Sequence, residues 1–200
     1  MPTAEDEVIE NEQRYRAGAY GLLAALLRAV PDQPLLDHLV EMSPESDAEP
    51  DALFEAMSGL ATAARNIDPG QLEDEYNALF IGVGKGEVVP YASWYLTGFL
   101  MEQPLSDLRD DLRALGFERS AATHEPEDHA AAIFEVFSVM ISEATSLSEQ
   151  RRFFETHMKP WLERFFADLD SARSAEFYKP VAQFGAAFIE LESAYLSMRS

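Results

Sequence analysis

The 200-residue chain contains no cysteine. That excludes disulfides, thiolate metal sites and cysteine nucleophiles together, and it suits a reducing compartment. Lysine is nearly missing as well: Lys85, Lys159 and Lys179 stand against twelve arginines. There is no long apolar run. The longest, Ala17 to Val30, is broken by Gly18, Gly21 and Arg28. It falls short of the roughly 20 residues that span a bilayer and reads as a core helix. The acidic start, residues 1–12, lacks the apolar stretch of a signal peptide, so the chain is expected to be cytoplasmic. No segment alternates with period two between hairpin signals. The best candidate strand, residues 87–91, is short and contains Pro90.

What is present is acid and aromatic. The formal net charge is −21, from 18 acids against 5 bases in residues 1–100 and 18 against 10 in 101–200. Such a charge repels nucleic acid and anionic lipid and steers basic partners toward the protein. A salt-adapted proteome shows the same excess, and sign alone does not separate the two. With 47% hydrophobic residues, 13 Phe, 7 Tyr and 2 Trp, the composition is globular.

Helical spacing recurs along the chain. From Pro126 onward, Ile133, Val136, Phe137, Met140, Ile141 and Ala144 fall on one stripe, which predicts a helix facing a core. Phe153, Phe154, Met158, Trp161, Leu162, Phe165, Phe166 and Leu169 predict a second, aromatic helix. Phe177, Val181, Phe184, Phe188, Leu191 and Tyr195 predict a third. Pro126 with Glu127 and Asp128, and the turn Asp68-Pro69-Gly70, read as helix starts. The expected architecture is all-α: a single helical bundle of about eight or more helices over residues 1–200. Residues 42–51 read as an exposed connection, 82–90 as a flexible loop and 120–126 as a hinge.

Candidate chemistry is sparse. Gly82 to Gly86 suggests a phosphate loop, but the segment before it reads as helix and Lys85 precedes Gly86 in place of Ser or Thr. His124 and His129 lie five apart with Pro126 between them, whereas zinc motifs need i and i+4 on one helical face. Neither a metal nor another cofactor is expected. Among the serines there is no Gly-x-Ser-x-Gly and no strand to carry a nucleophile, so a non-enzyme is expected. Asp128 and His129 stay open between a helix start and a functional pair. Phe80, Tyr91, Trp94 and Tyr95, near Pro90 and the glycine loop, stay open between core and peptide groove.

Five motifs, in order, resemble the TorD/DmsD/NarJ group of redox-enzyme maturation chaperones. Glu75-Tyr76-Asn77-Ala78-Leu79-Phe80-Ile81-Gly82-Val83-Gly84 resembles the Glu-(aromatic)-x-x-Leu-Phe-x-Gly-Pro-Gly segment, with Val83 in place of its proline. Pro90-Tyr91-Ala92-Ser93 resembles Pro-(aromatic)-x-Ser, and residues 125–129 match Glu-Pro-x-Asp-His. His157-Met158-Lys159-Pro160-Trp161 resembles the His-(apolar)-x-Pro-Trp element, and Ser174 to Tyr178 the opening of the last helix.

The resemblance implies a TorD-like all-α chaperone. Its expected partner is the twin-arginine leader of a molybdopterin-containing oxidoreductase of dimethyl sulfoxide, trimethylamine N-oxide or formate type. The chaperone would hold that apoenzyme for cofactor insertion before Tat export. An assembly factor for a non-exported molybdoenzyme is the alternative, and a nucleotide- or metal-dependent hydrolase a more distant one. A monomer or a helix-exchanged dimer is compatible with the resemblance. The leader-binding positions it carries over are Tyr76, Leu79, Phe80, Pro90, Tyr91, Asp128 and His129. Tyr76, Leu79, Phe80 and Tyr91 would form an apolar groove, Asp128 would accept arginine, and His129 would orient it or donate a hydrogen bond.

Overall fold

A computed structural model describes residues 4–42, 51–82, 84–118 and 125–198, with side chains from Ile9 onward. The connection expected at 42–51, the hinge at 120–126, Val83 and His124 fall wholly or largely outside the described residues. Ten α-helices account for most of the rest: α1 Ala4–Arg28, α2 Gln33–Glu41, α3 Ala52–Asn66, α4 Pro69–Tyr76, α5 Ala92–Thr97, α6 Gln103–Ala114, α7 Ala130–Ser142, α8 Leu147–His157, α9 Lys159–Ser171 and α10 Tyr178–Met198. A π-helical turn, Asn77–Ile81, follows α4. The all-α expectation is met. Among the described residues an isolated antiparallel bridge, Tyr91 to His129, stands in place of the candidate strand.

Several helices start as their sequences dictate. The side chains of Asp32, Asp51 and Asp68 accept from the first free amides of α2, α3 and α4, leaving fewer orphan donors at each end. Ser146 does the same for α8 and donates its hydroxyl to Glu149. Part of the acid excess is thus spent on helix starts.

Two boundaries differ from expectation. The aromatic run is two helices, not one, because Pro160 has no amide and its ring would clash with the carbonyl one turn earlier. The break falls at Met158, with φ −120° and ψ −62°. Helix α7 begins at Ala130 rather than Pro126, since residues 126–129 close a turn in which the His129 amide donates to Pro126 O at 3.1 Å. The α7 end is a Schellman motif. Thr145 N donates to Met140 O at 3.0 Å and Ala144 N to Ile141 O at 3.1 Å, with Ala144 at φ 56° where glycine is usual.

The chain forms two compact units. The first comprises α1, α5 to α8 and the chain end from Tyr195. In it α1 packs on α7: Tyr20, fully buried, meets Phe137 edge-on at 4.8 Å and Phe134 at 5.9 Å. Phe137 in turn stacks on Phe153 of α8 at 5.8 Å. Each such ring contributes about 1.5–3 kcal/mol by leaving water. The second unit comprises α2 to α4, the π turn, α9 from Trp161 and α10 through Ala194. Its core holds Trp161, Phe165 and Phe166. A Cβ on Gly185 would stand 2.2 Å from the Phe166 ring, so only glycine lets α10 lie against that ring.

Candidate functional site

In the first unit the site is the junction of residues 91–93 with 125–129. Helix α5 starts without a cap of its own, and its free amides are met from 35 residues away. Asp128 O accepts from Ala92 N at 2.9 Å. Asp128 Oδ2 accepts from Ser93 N at 3.0 Å and also from the Ser93 hydroxyl. Ser93 is fully buried and Asp128 is 1% exposed. Asp128 Oδ1 is buried too, with no donor among the described residues.

His129 caps α7. Its Nδ1 accepts from Ala131 N at 3.1 Å, which puts the proton of the neutral ring on Nε2. Burial pushes the imidazole below its ordinary range, against the opposing charges of Glu125 and Asp128. Tyr91 stands edge-on to this ring at 5.0 Å and donates its hydroxyl to Glu125.

The second unit holds the other motif residues. Tyr76, Phe80 and Tyr178 form an aromatic triangle with centroids 5.0–6.0 Å apart. Tyr76 and Leu79 are buried, Phe80 is half-buried and Pro90 is buried. Burial, with Tyr76 and Glu75 nearby, holds the Tyr178 hydroxyl well above its ordinary range. Buried Glu75 reaches the turn before α10: Oε1 accepts from Glu176 N at 2.9 Å and Tyr178 N at 2.8 Å, and Oε2 from Phe177 N at 3.0 Å.

Glu87 binds the same turn, accepting from Arg173 N and from the Ser174 amide and hydroxyl. The Ser174 hydroxyl leads in holding its carboxyl below the ordinary range. The glycine loop folds back on the π turn. Gly82 N donates to Asn77 O at 2.7 Å and Val88 N to Leu79 O at 2.9 Å. A Cβ on Gly82 would stand 2.1 Å from Lys85 O, and one on Gly86 2.3 Å from Leu79 O. Those glycines permit a tight helix end.

The structure therefore brings Tyr91, Asp128 and His129 together in one unit, and Tyr76, Leu79 and Phe80 together in the other, where Pro90 also lies. Phe80 and Tyr91 are half-buried, whereas the remaining five are buried. Sequence reasoning assigned no role to Glu75, Ser93 and Glu87. The first two were nonetheless legible as polar letters of the resembling motifs.

His157, 6% exposed, pairs with Asp111 at 2.8 Å. That bond, then Arg152, holds the Asp111 carboxyl below its ordinary range. No group of three or more His, Cys, Asp and Glu suited to a metal occurs among the described residues. No helix among them is long and apolar enough to cross a membrane.

Comparison with known proteins places the chain. Residues 46–167 match the model of the nitrate reductase delta subunit family. Chaperone protein TorD of Vibrio parahaemolyticus is 27% identical over 158 residues, covering 73% of this chain and 73% of that protein. Chaperone protein TorD of Vibrio vulnificus is 28% identical over 207 residues, covering 90% and 94%. The crystal structure of a redox enzyme maturation protein from Archaeoglobus fulgidus has the same fold. Its TM-score is 0.58 at 20% identity, over 88% of this chain and 93% of that one. The chaperone names of the relatives bear out the non-enzymatic expectation. The chain belongs to the nitrate reductase delta subunit family, among its TorD-type redox-enzyme maturation chaperones.

Proposed function

We propose that the protein is a cytoplasmic chaperone that binds the twin-arginine leader of a molybdopterin-containing oxidoreductase. It holds that enzyme for cofactor insertion before Tat export. The observation that carries this is the match to TorD chaperones over as much as 94% of their length. Tyr91, half-buried beside His129, is the ring that an apolar segment meets in the first unit. Asp128 Oδ1 is a buried acceptor with no described donor, which an arginine reaches if the 125–129 turn opens. The net charge of −21 speeds the approach of a basic leader.

A second reading has one observation in its favour, the nitrate reductase description of the family model: an assembly factor for a non-exported molybdoenzyme. The two separate on the arginine pair. Anisotropy titration of a fluorescent twin-arginine leader against its Ala-Ala counterpart is expected to show micromolar or tighter binding that the substitution weakens. Equal binding of both peptides favours the second reading.

A further inference from the structure

The protein covers most of its large apolar side chains, but the turn between α5 and α6 leaves them in water. Nine are exposed among the described residues, and four of the nine, Leu96, Phe99, Leu100 and Met101, lie there. Phe99 is 68% exposed and Met101 73%. Single exposed apolar residues are ordinary, whereas a cluster rimmed by polar groups marks a contact surface.

The turn has a fixed backbone. Gly98, at φ 83°, ends α5 with its amide on Trp94 O at 2.8 Å. The Thr97 hydroxyl donates to Ser93 O at 2.8 Å and accepts from Phe99 N at 3.2 Å. Met101 stands at φ 59°, a left-handed conformation that strains a residue with a Cβ. Strain of this kind gathers at binding sites.

The rim has one sign. Residues 96–108 hold Glu102 and Asp107, both exposed, and no lysine or arginine. Asp107 accepts from the uncharged Gln103 side chain at 2.7 Å, a bond that leaves its charge in place. A second copy would bring the same acids face to face. The fitting partner is a recess with a basic mouth. A molybdopterin cofactor is anionic through its phosphate, so the cleft awaiting it in an apoenzyme is lined with cationic and N–H donors. We infer that this turn anchors the mature part of the client enzyme at that unfilled cleft. Phe99, Leu100 and Met101 enter the mouth, and Glu102 and Asp107 meet its basic groups. This rests on the molybdoenzyme chaperone function proposed above and uses none of the seven leader positions.

The test uses the full chain and leaderless molybdoenzymes of dimethyl sulfoxide, trimethylamine N-oxide and formate type, each made with and without cofactor. At least one apoenzyme is expected to bind the wild-type chain, and its cofactor-loaded form about tenfold more weakly or not at all. Phe99→Ser with Met101→Ser is expected to weaken that apoenzyme about tenfold, and Glu102→Gln with Asp107→Asn about threefold. Both variants change exposed positions, so a twin-arginine leader peptide is expected to bind them as it binds the wild type.

Apoenzyme binding that both variants retain, or equal binding of the apo and loaded forms, overturns the anchor and leaves leader binding standing. A wild type that binds the leader peptide but none of the three apoenzymes does the same. Loss of leader binding in the variants also overturns it, because the turn then acts through α5 and its Asp128 cap. A wild type that binds neither peptide nor apoenzyme overturns the chaperone function and the anchor with it. A wild-type dimer that Phe99→Ser with Met101→Ser splits, seen by sedimentation, overturns it in favour of a second copy as occupant.

Discussion

Removing the Asp128 side chain is expected to unseat helix α5. In Asp128→Ala the Ser93 amide and hydroxyl, both fully buried, lose their acceptor. An unsatisfied buried amide costs about 1–3 kcal/mol, and the hydroxyl loses a further bond of about 1 kcal/mol. Removing Oδ1, buried without a described donor, gives back about 1 kcal/mol. The net loss is about 1–3 kcal/mol, which overlaps and slightly exceeds the range for deleting a helix cap. For a chain of this size that lowers Tm by about 2–12 °C.

Asp128→Asn is milder, because its amide oxygen still accepts from Ser93 while its NH2 takes the place of Oδ1. The expected loss is about 1 kcal/mol. Urea melts followed by circular dichroism, run with Ser93→Ala in a double-mutant cycle, measure the coupling. Asp128→Ala melting with the wild type, or additivity with Ser93→Ala, refutes the capping role.

Other perturbations have equally definite outcomes. Glu75→Gln keeps one acceptor oxygen and turns an NH2 toward the Phe177 or Glu176 amide, which both now donate to it. A loss of about 2–4 kcal/mol is expected in a urea melt. Ala144→Gly relieves the left-handed residue that ends α7 and is expected to stabilise by about 1 kcal/mol, read as a raised urea midpoint. Burial holds His129 below its ordinary 6.5, so near that pH the unfolded chain binds more protons. The stability it contributes is complete above about pH 6.5 and falls as pH drops toward the folded value. Urea midpoints at about pH 7.5 and 5.5 are expected to differ less in His129→Asn, which keeps a cap acceptor, than in the wild type.

The helices and many of their ends were legible because their causes are local. Asp32, Asp51 and Asp68 act within three residues of themselves, and the apolar spacing repeats at every turn. Pairings between distant segments were not. Asp128 looks like a first-turn acid of the next helix, yet it caps a helix that begins 36 residues earlier. Nothing in the local sequence of either segment names the other.

The same blindness misplaced Val136. Spacing puts it on one stripe with Ile133 and Phe137, yet it is half-buried, because only the packing of α1 against α7 decides which apolar face is covered. Leu191, on the α10 stripe, is likewise 53% exposed.

The motifs behind the family resemblance join in pairs within each unit. Glu75 of the first binds the backbone of the fifth. Ser93 of the second binds Asp128 of the third. At least part of what the motif residues do is therefore to hold distant segments of the chain together.

Titration calorimetry of the full chain with a twin-arginine leader peptide, at low and at high salt, tests leader binding most directly. The account predicts micromolar or tighter binding that weakens on replacing the arginines and weakens again as salt screens the acidic surface. Binding indifferent to both the arginines and the salt, or no binding to any leader, contradicts it.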